Sequence, residues 1–117
     1  MTTATTSYKL MDRKTLQGKL EKKDQFHLWN VLTRDYYRAD LNIAGSRWVA
    51  ANSITEKRAE ELVASKGETI VVYCGSQTCP SSKMAAQKLT ELGYTNVYAF
   101  EGGLKDWTDG GLPTVKL

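Results

Sequence analysis

The segment Ile70-Val71-Val72-Tyr73 is β-branched or aromatic at every position, with none of the alternation of a half-exposed strand. Such a run fits a strand covered on both faces, the situation found inside a parallel sheet. It stops at Cys74, crosses a polar loop, and resumes as a helix-period segment whose inner face is read as Met84, Ala85, Leu89 and Leu92, closed by Gly93. Strand, loop and helix in that order gather free backbone N–H groups above the strand end, where they suit an anion. A thiolate or a persulfide at Cys74 is such an anion.

The rest of the chain follows the same rhythm. A short strand is expected at Tyr8 to Met11, then a surface helix over 12–24 with Leu16 and Leu20 one turn apart. FHLWNVL over 26–32 reads as a strand, RDYYRADLN as a short helical or turn segment, and RWVAA over 47–51 as a third strand. Ser53 with Glu56 gives a capping-box signature for a helix running to about Ser65, with Ile54, Ala59, Leu62 and Val63 inward and Lys66-Gly67 as its stop. After the helix of the 80s, Asn96 to Phe100 is a further strand, and Gly102-Gly103 opens a short helix carrying Leu104 and Trp107 that breaks at Gly110-Gly111. Strands alternating with helices imply an α/β fold, a mostly parallel sheet of about five strands with helices on both faces. At 117 residues the chain is expected to form one domain over 8–117 behind a Thr-rich flexible tail over 1–7.

Charge and composition narrow the function. No stretch reaches the roughly eighteen apolar residues that span a bilayer, and MTTATTSYKLMDRK has no apolar signal region, so neither a membrane nor a secretory role is expected. The net charge of +3 is dispersed, with acids between the lysines, and no basic stripe with interleaved aromatics offers a nucleic-acid surface. Two cysteines cannot form a disulfide framework; five positions apart beside a strand end, they favour reactive use in a reducing, cytoplasmic compartment. Two cysteines and one histidine, His27, are too few for a metal site, and no metal or other cofactor is expected. His27, inside an apolar strand, reads as a core or rim residue rather than as a partner for a cysteine.

On these residues the chain resembles the single-domain rhodaneses, the sulfurtransferase family. The likeness is carried by the apolar strand ending in Cys74, by Ser82-Lys83 followed by Ala85-Ala86, and above all by LGYTNVYAFEGGLKDWTDGGLPT from Leu92 to Thr114. It spans roughly residues 8 to 116. Three departures stand out. Asn30 and Leu32 occupy the places of a strand-end Asp and Arg, Asn42 and Ala44 replace the His and Pro of a following loop, and the cysteine loop is about two residues longer, has no Arg and holds a second cysteine.

The resemblance implies that Cys74 takes a sulfane sulfur from a donor such as thiosulfate or a persulfide, carries it as a persulfide, and passes it to a thiol or cyanide; a sulfur-relay protein is a further possible partner. Hydrogen bonds to a charged group contribute about 1.5 to 3 kcal/mol each, so two or three lower a thiol pKa by more than a unit. Gly75, Ser76, Gln77, Thr78, Ser81 and Ser82 are the candidates to supply them. Cys79 precedes Pro80, a residue suited to a helix start, and is read as a second thiol that accepts or resolves the sulfur, if the loop curls enough to bring it near Cys74. Two other readings remain open: a redox switch through a Cys74–Cys79 disulfide, and an inactive binding module on the same fold. A phosphatase of the same fold needs an Arg clamp six residues after the cysteine, where this chain has Pro80. Trp107 reads as packing, Arg47 and Trp48 as rim or surface, and Lys83 as solvated.

Overall fold

The computed structural model describes residues 8–116; the expected tail over 1–7 lies outside the described residues. Along the chain run β1 (Lys9–Leu10), α1 (Arg13–Glu21), β2 (His27–Asn30), β3 (Arg47–Trp48), α2 (Glu56–Leu62), β4 (Ile70–Tyr73), α3 (Ser81–Glu91), β5 (Val97–Phe100) and α4 (Gly103–Asp109). The strands form one sheet in the order β1-β5-β4-β2-β3, and every neighbouring pair is parallel. β4 lies at the centre, and all four of its residues are 0 % exposed, which is the burial its unbroken apolar run requires.

Handedness places the helices. The steps β3 to β4 and β4 to β5 cross the sheet in one direction, and β1 to β2 crosses it in the other. Right-handed crossovers then put α2 and α3 on one face and α1 on the opposite face. The contacts agree: α3 packs on β4, β5 and the 3-10 turn Ala51–Ser53 that leads to α2, while Arg13 of α1 pairs with Asp106 of α4.

Local chemistry fixes the ends. Asp12 caps α1 by accepting a hydrogen bond from the Thr15 N–H at 2.8 Å, and Leu16 enters the core. The start of α2 corrects the capping-box reading. Thr55, not Ser53, is its cap, accepting from the Arg58 N–H at 3.1 Å, because Ser53 is drawn into the 3-10 turn and donates its hydroxyl to the Ala50 carbonyl. The inner face of α3 is also corrected. Ser82, Ala85, Ala86 and Leu89 are buried, whereas Met84 is 60 % exposed. Met84 stands about 200° around the helix from Ala86, and the alanines let α3 approach the sheet closely where a methionine would hold it away. The expected strand over 26–32 narrows to His27–Asn30, that over 47–51 to Arg47–Trp48, and residues 34–36 form a turn rather than a helix.

This topology decides where a site forms. After β2 the chain turns toward β3, and after β4 it turns the other way, toward β5. The two outgoing loops diverge and leave a crevice at the carboxyl ends of β2 and β4, where open α/β sheets bind ligands.

Gly103 locks the loop after β4 in place. It sits at φ +63°, and a Cβ there would lie 2.4 Å from the Cys74 carbonyl oxygen. Gly103→Ala therefore meets both left-handed strain and a backbone clash and is expected to cost about 2–4 kcal/mol. Gly111→Ala, at φ +78° but with open space around it, is expected to cost only about 1–2 kcal/mol. Urea unfolding of the two variants measures the difference as a shift in midpoint at unchanged slope.

Candidate active site

Cys74 is the first residue beyond β4, and its backbone is held from the opposite loop. The N–H groups of Leu104 and Lys105, in the first turn of α4, donate to the carbonyls of Cys74 and Gly75 at 2.9 and 2.8 Å. With its start pinned, the loop curls, and the Cys79 N–H donates to the Ser76 carbonyl at 3.0 Å. Five extended residues would span about 16 Å. Here the Cys74 Sγ instead lies 3.5 Å from the Cys79 carbonyl oxygen and 4.0 Å from that of Ser76. Both cysteines are free thiols.

The two sulfurs have opposite surroundings. Cys74 is 0 % exposed, and its S–H faces carbonyl oxygens, which accept from a thiol and repel a thiolate. Burial first, and then its hydrogen bond to Cys79, push the Cys74 thiol up to about 11. Cys79 is half-buried, and burial alone would raise it too. The Cys74 thiol, the backbone N–H groups of Ser81 and Gly75 and the Ser81 hydroxyl outweigh that and hold it below the ordinary thiol range. Donors thus face both sulfurs: Gly75 and Ser81 at Cys79, and the N–H and hydroxyl of Ser82 at Cys74, where burial and carbonyl oxygens outweigh them.

Ser82 completes the constellation. It is 1 % exposed, its hydroxyl has no hydrogen-bond partner, and it lies beside the Cys74 sulfur, where it favours the anion. A buried hydroxyl without an acceptor costs about 1–3 kcal/mol, so an additional acceptor next to Cys74 would be stabilising.

The loop residues read from the sequence as ligand-binding divide into three groups. Gly75 and Ser81 line the crevice together with Cys79, and Ser82 lies underneath beside Cys74. Ser76, Gln77 and Thr78 line a separate groove against α4. The crevice is a cavity of about 810 Å³ whose far wall comes from the segment after β2, with Leu32, Tyr36, Arg38 and Leu41, and whose floor includes Leu104 and Lys105. Sequence reasoning missed this wall. The only signal was a segment, RDYYR, rich in aromatics and cations but without helical or strand period. Neither cation is free: Arg38 pairs with Asp40 at 3.1 Å and Lys105 with Asp109 at 3.0 Å.

Asn30, at the end of β2, rebuilds the neighbouring polar network in neutral form. It is 0 % exposed, donates to the Asn42 Oδ1 at 2.8 Å and accepts from the Leu32 N–H at 3.1 Å. The Asn42 amide in turn donates to the carbonyls of Arg38 and Ala39. The Tyr73 hydroxyl, deep under the same loop, accepts from the Ile43 N–H at 3.0 Å and bonds the Ser46 hydroxyl at 2.8 Å. Two asparagines and a tyrosine therefore hold the crevice wall with no buried charge. Trp48 stays outside the crevice, stacked on Tyr37 and donating to the Leu32 carbonyl at 2.7 Å. His27 sits at the amino end of β2, away from the cysteines, paired with Glu68 at 2.8 Å. Among the described residues no cluster of three His, Cys, Asp or Glu side chains could hold a metal, and no helix is long and apolar enough to cross a membrane.

Fold and site together define an α/β domain that carries two cysteines on the loop between its central strand and the following helix. Residues 12–109 match the rhodanese-like domain, and the chain belongs to that family. An uncharacterized protein from Synechocystis is 35% identical over 105 residues, an alignment that takes in 88% of this chain and 54% of that one, so the chain spans about half the length of this relative. The rhodanese-like domain of Alr3790 from Anabaena superposes with a TM-score of 0.77 at 25% identity, covering 92% of this chain and 79% of that one. The BH2092 protein from Bacillus halodurans gives 0.76 at 25% identity, covering 91% and 74%.

Two outcomes follow from the geometry. Alkylation of the reduced protein by iodoacetamide is expected to modify Cys79 with a pH midpoint below the ordinary thiol range, while Cys74 stays unreactive until about pH 11; peptide mass spectrometry across a pH series reads both. Asn42→Ala leaves the buried Asn30 amide without its acceptor and frees the exposed Ala39 carbonyl, and is expected to cost about 1–3 kcal/mol in denaturant unfolding.

Proposed function

We propose that this protein is a sulfurtransferase in which Cys74 carries a sulfane sulfur as a persulfide, between a low-molecular-weight donor and an acceptor thiol or cyanide. The observation that carries this reading is the pair of free thiols on one curled loop, Cys74 buried with its Sγ 3.5 Å from the Cys79 carbonyl oxygen and Cys79 lining the crevice that the sheet topology creates. Family membership supports the class of chemistry. The orphaned Ser82 hydroxyl supports a persulfide at Cys74, since its outer sulfur is an additional acceptor in that pocket.

The crevice also bears on the donor. At about 810 Å³ it lies in the range of pockets that hold whole organic ligands, and much of its wall is Leu32, Leu41, Leu104 and Pro80. Thiosulfate needs only a fraction of that space and would meet no unpaired cation, so an organic persulfide such as glutathione persulfide suits the site better. The same lack of a free guanidinium argues against a phosphatase or arsenate-reducing role. Free thiols in contact suit a reducing, cytoplasmic setting, and a sulfur-relay protein is a reasonable acceptor. A redox switch is the second reading, favoured by the contact between the thiols; it requires only an oxidant and no sulfur donor.

Intact mass separates these. The reduced protein is expected to gain one sulfur atom on exposure to glutathione persulfide, and less readily to thiosulfate, while the Cys74→Ser/Cys79→Ser double variant gains none. Loss of two hydrogens under mild oxidant, with no sulfur gained from either donor, would replace this function by the redox switch.

A further inference from the structure

The strand-end cysteine is the thiol expected to meet the donor, yet it is fully buried and lines neither the crevice nor the groove beside it. Cys79 lines the crevice, and the Cys74 Sγ lies 3.5 Å from the Cys79 carbonyl oxygen. We propose that Cys79 receives the sulfur from the donor in the crevice and hands it inward to Cys74, which stores it beside Ser82. The proposal rests on the sulfurtransferase reading and assigns the order in which the two thiols act.

The arrangement of donors and acceptors gives each sulfur its part. Around Cys79 the loop directs N–H groups from Gly75 and Ser81 and the Ser81 hydroxyl, the surroundings of a nucleophilic thiolate. Around Cys74 it directs the carbonyl oxygens of Ser76 and Cys79, with the Ser82 N–H and hydroxyl on the other side, and full burial keeps the thiol protonated until it is needed. The orphaned hydroxyl of Ser82 lies on the Cys74 side, which marks the inner position as the one prepared for an extra acceptor. Cys79 lines the crevice and Cys74 does not, being fully buried, so a sulfur arriving from the crevice meets Cys79 first.

The chemistry balances without any oxidant. The Cys79 thiolate attacks the outer sulfur of an organic persulfide in its protonated form, R–S–SH. The new S–S bond forms as the donor's S–S bond breaks, and R–S⁻ leaves with the electron pair. Cys79 then bears a persulfide. The sulfur of Cys74 attacks its outer atom, the proton of Cys74 passes to the departing inner sulfur, and the products are a Cys74 persulfide and a Cys79 thiol. The sulfane sulfur keeps its oxidation level throughout, and no disulfide forms. Return to an acceptor thiol runs the same exchange outward.

The test is rapid-quench loading with glutathione persulfide, trapping with iodoacetamide, and fragmentation of the tryptic peptide that holds both cysteines. In the wild type the trapped sulfur is expected on Cys79 at early times and on Cys74 later. Cys79→Ser is expected to load at least about tenfold more slowly, because the buried thiol must then meet the donor itself. Cys74→Ser, or Cys74→Ala should the serine disturb the core, is expected to take up one sulfur and hold it on Cys79. Loading of Cys79→Ser as fast as wild type, with the sulfur on Cys74 at the earliest time, would overturn the relay and leave sulfur transfer standing. Failure of the wild type to load at all would defeat sulfur transfer, and the relay with it.

Discussion

Burial of β4 on both faces is the constraint from which the rest follows. A strand with no exposed residue must exchange all its backbone hydrogen bonds with neighbours, and here β2 and β5 supply them in parallel register, Tyr73 opposite both Asn30 and Phe100. Parallel pairing forces every connection across a face of the sheet, and the handedness of those crossovers sets which helices share a face. It also aligns the carboxyl ends of β2, β4 and β5 on one edge, so the loops that follow them meet. The hydrogen bonds from Leu104 and Lys105 to the carbonyls of Cys74 and Gly75 are a direct product of that alignment. Without them the start of the cysteine loop would have no fixed point from which to curl.

The wall of the crevice shows how polarity can be buried without charge. Asn30, Asn42 and the Tyr73 hydroxyl are all within the protein, yet each finds partners among neutral amides and hydroxyls. A carboxylate and a guanidinium in such a place would have to recover a desolvation cost of several kcal/mol each through their mutual attraction. The neutral network avoids that cost, and the cations that line the crevice, Arg38 and Lys105, stay at its exposed surface, each paired with a carboxylate.

Much of this was legible in the sequence, and the failures have physical causes. β4 was readable because full burial imposes an unbroken apolar run, and β5, α1 and α4 because their period and stop residues agree with their surroundings. Met84 was misread because the stripe was drawn on hydrophobicity, whereas close packing of α3 on the sheet selects small residues, Ala85 and Ala86. The cap of α2 was misread because Ser53 and Thr55 are both good caps, and only the 3-10 turn at Ala51–Ser53 decides between them. At the site, the position of Cys74 followed from the strand, but the direction in which each N–H points did not. Curling of a loop with no period is a tertiary property, fixed here by α4 from thirty residues away. The crevice wall was hidden for the same reason, since 33–41 adopts turns held by Asn42 rather than by any local pattern.

The two strands at the margins of the sheet, β1 and β3, are only two residues long. An edge strand with a long row of unpaired N–H and C=O groups is a template on which another chain can add, and the extension can continue into aggregates. Two residues offer too few such groups to hold a stranger in register. The longer, apolar four-residue strands of this protein are kept in the interior, and what the outside meets is a margin too short to copy.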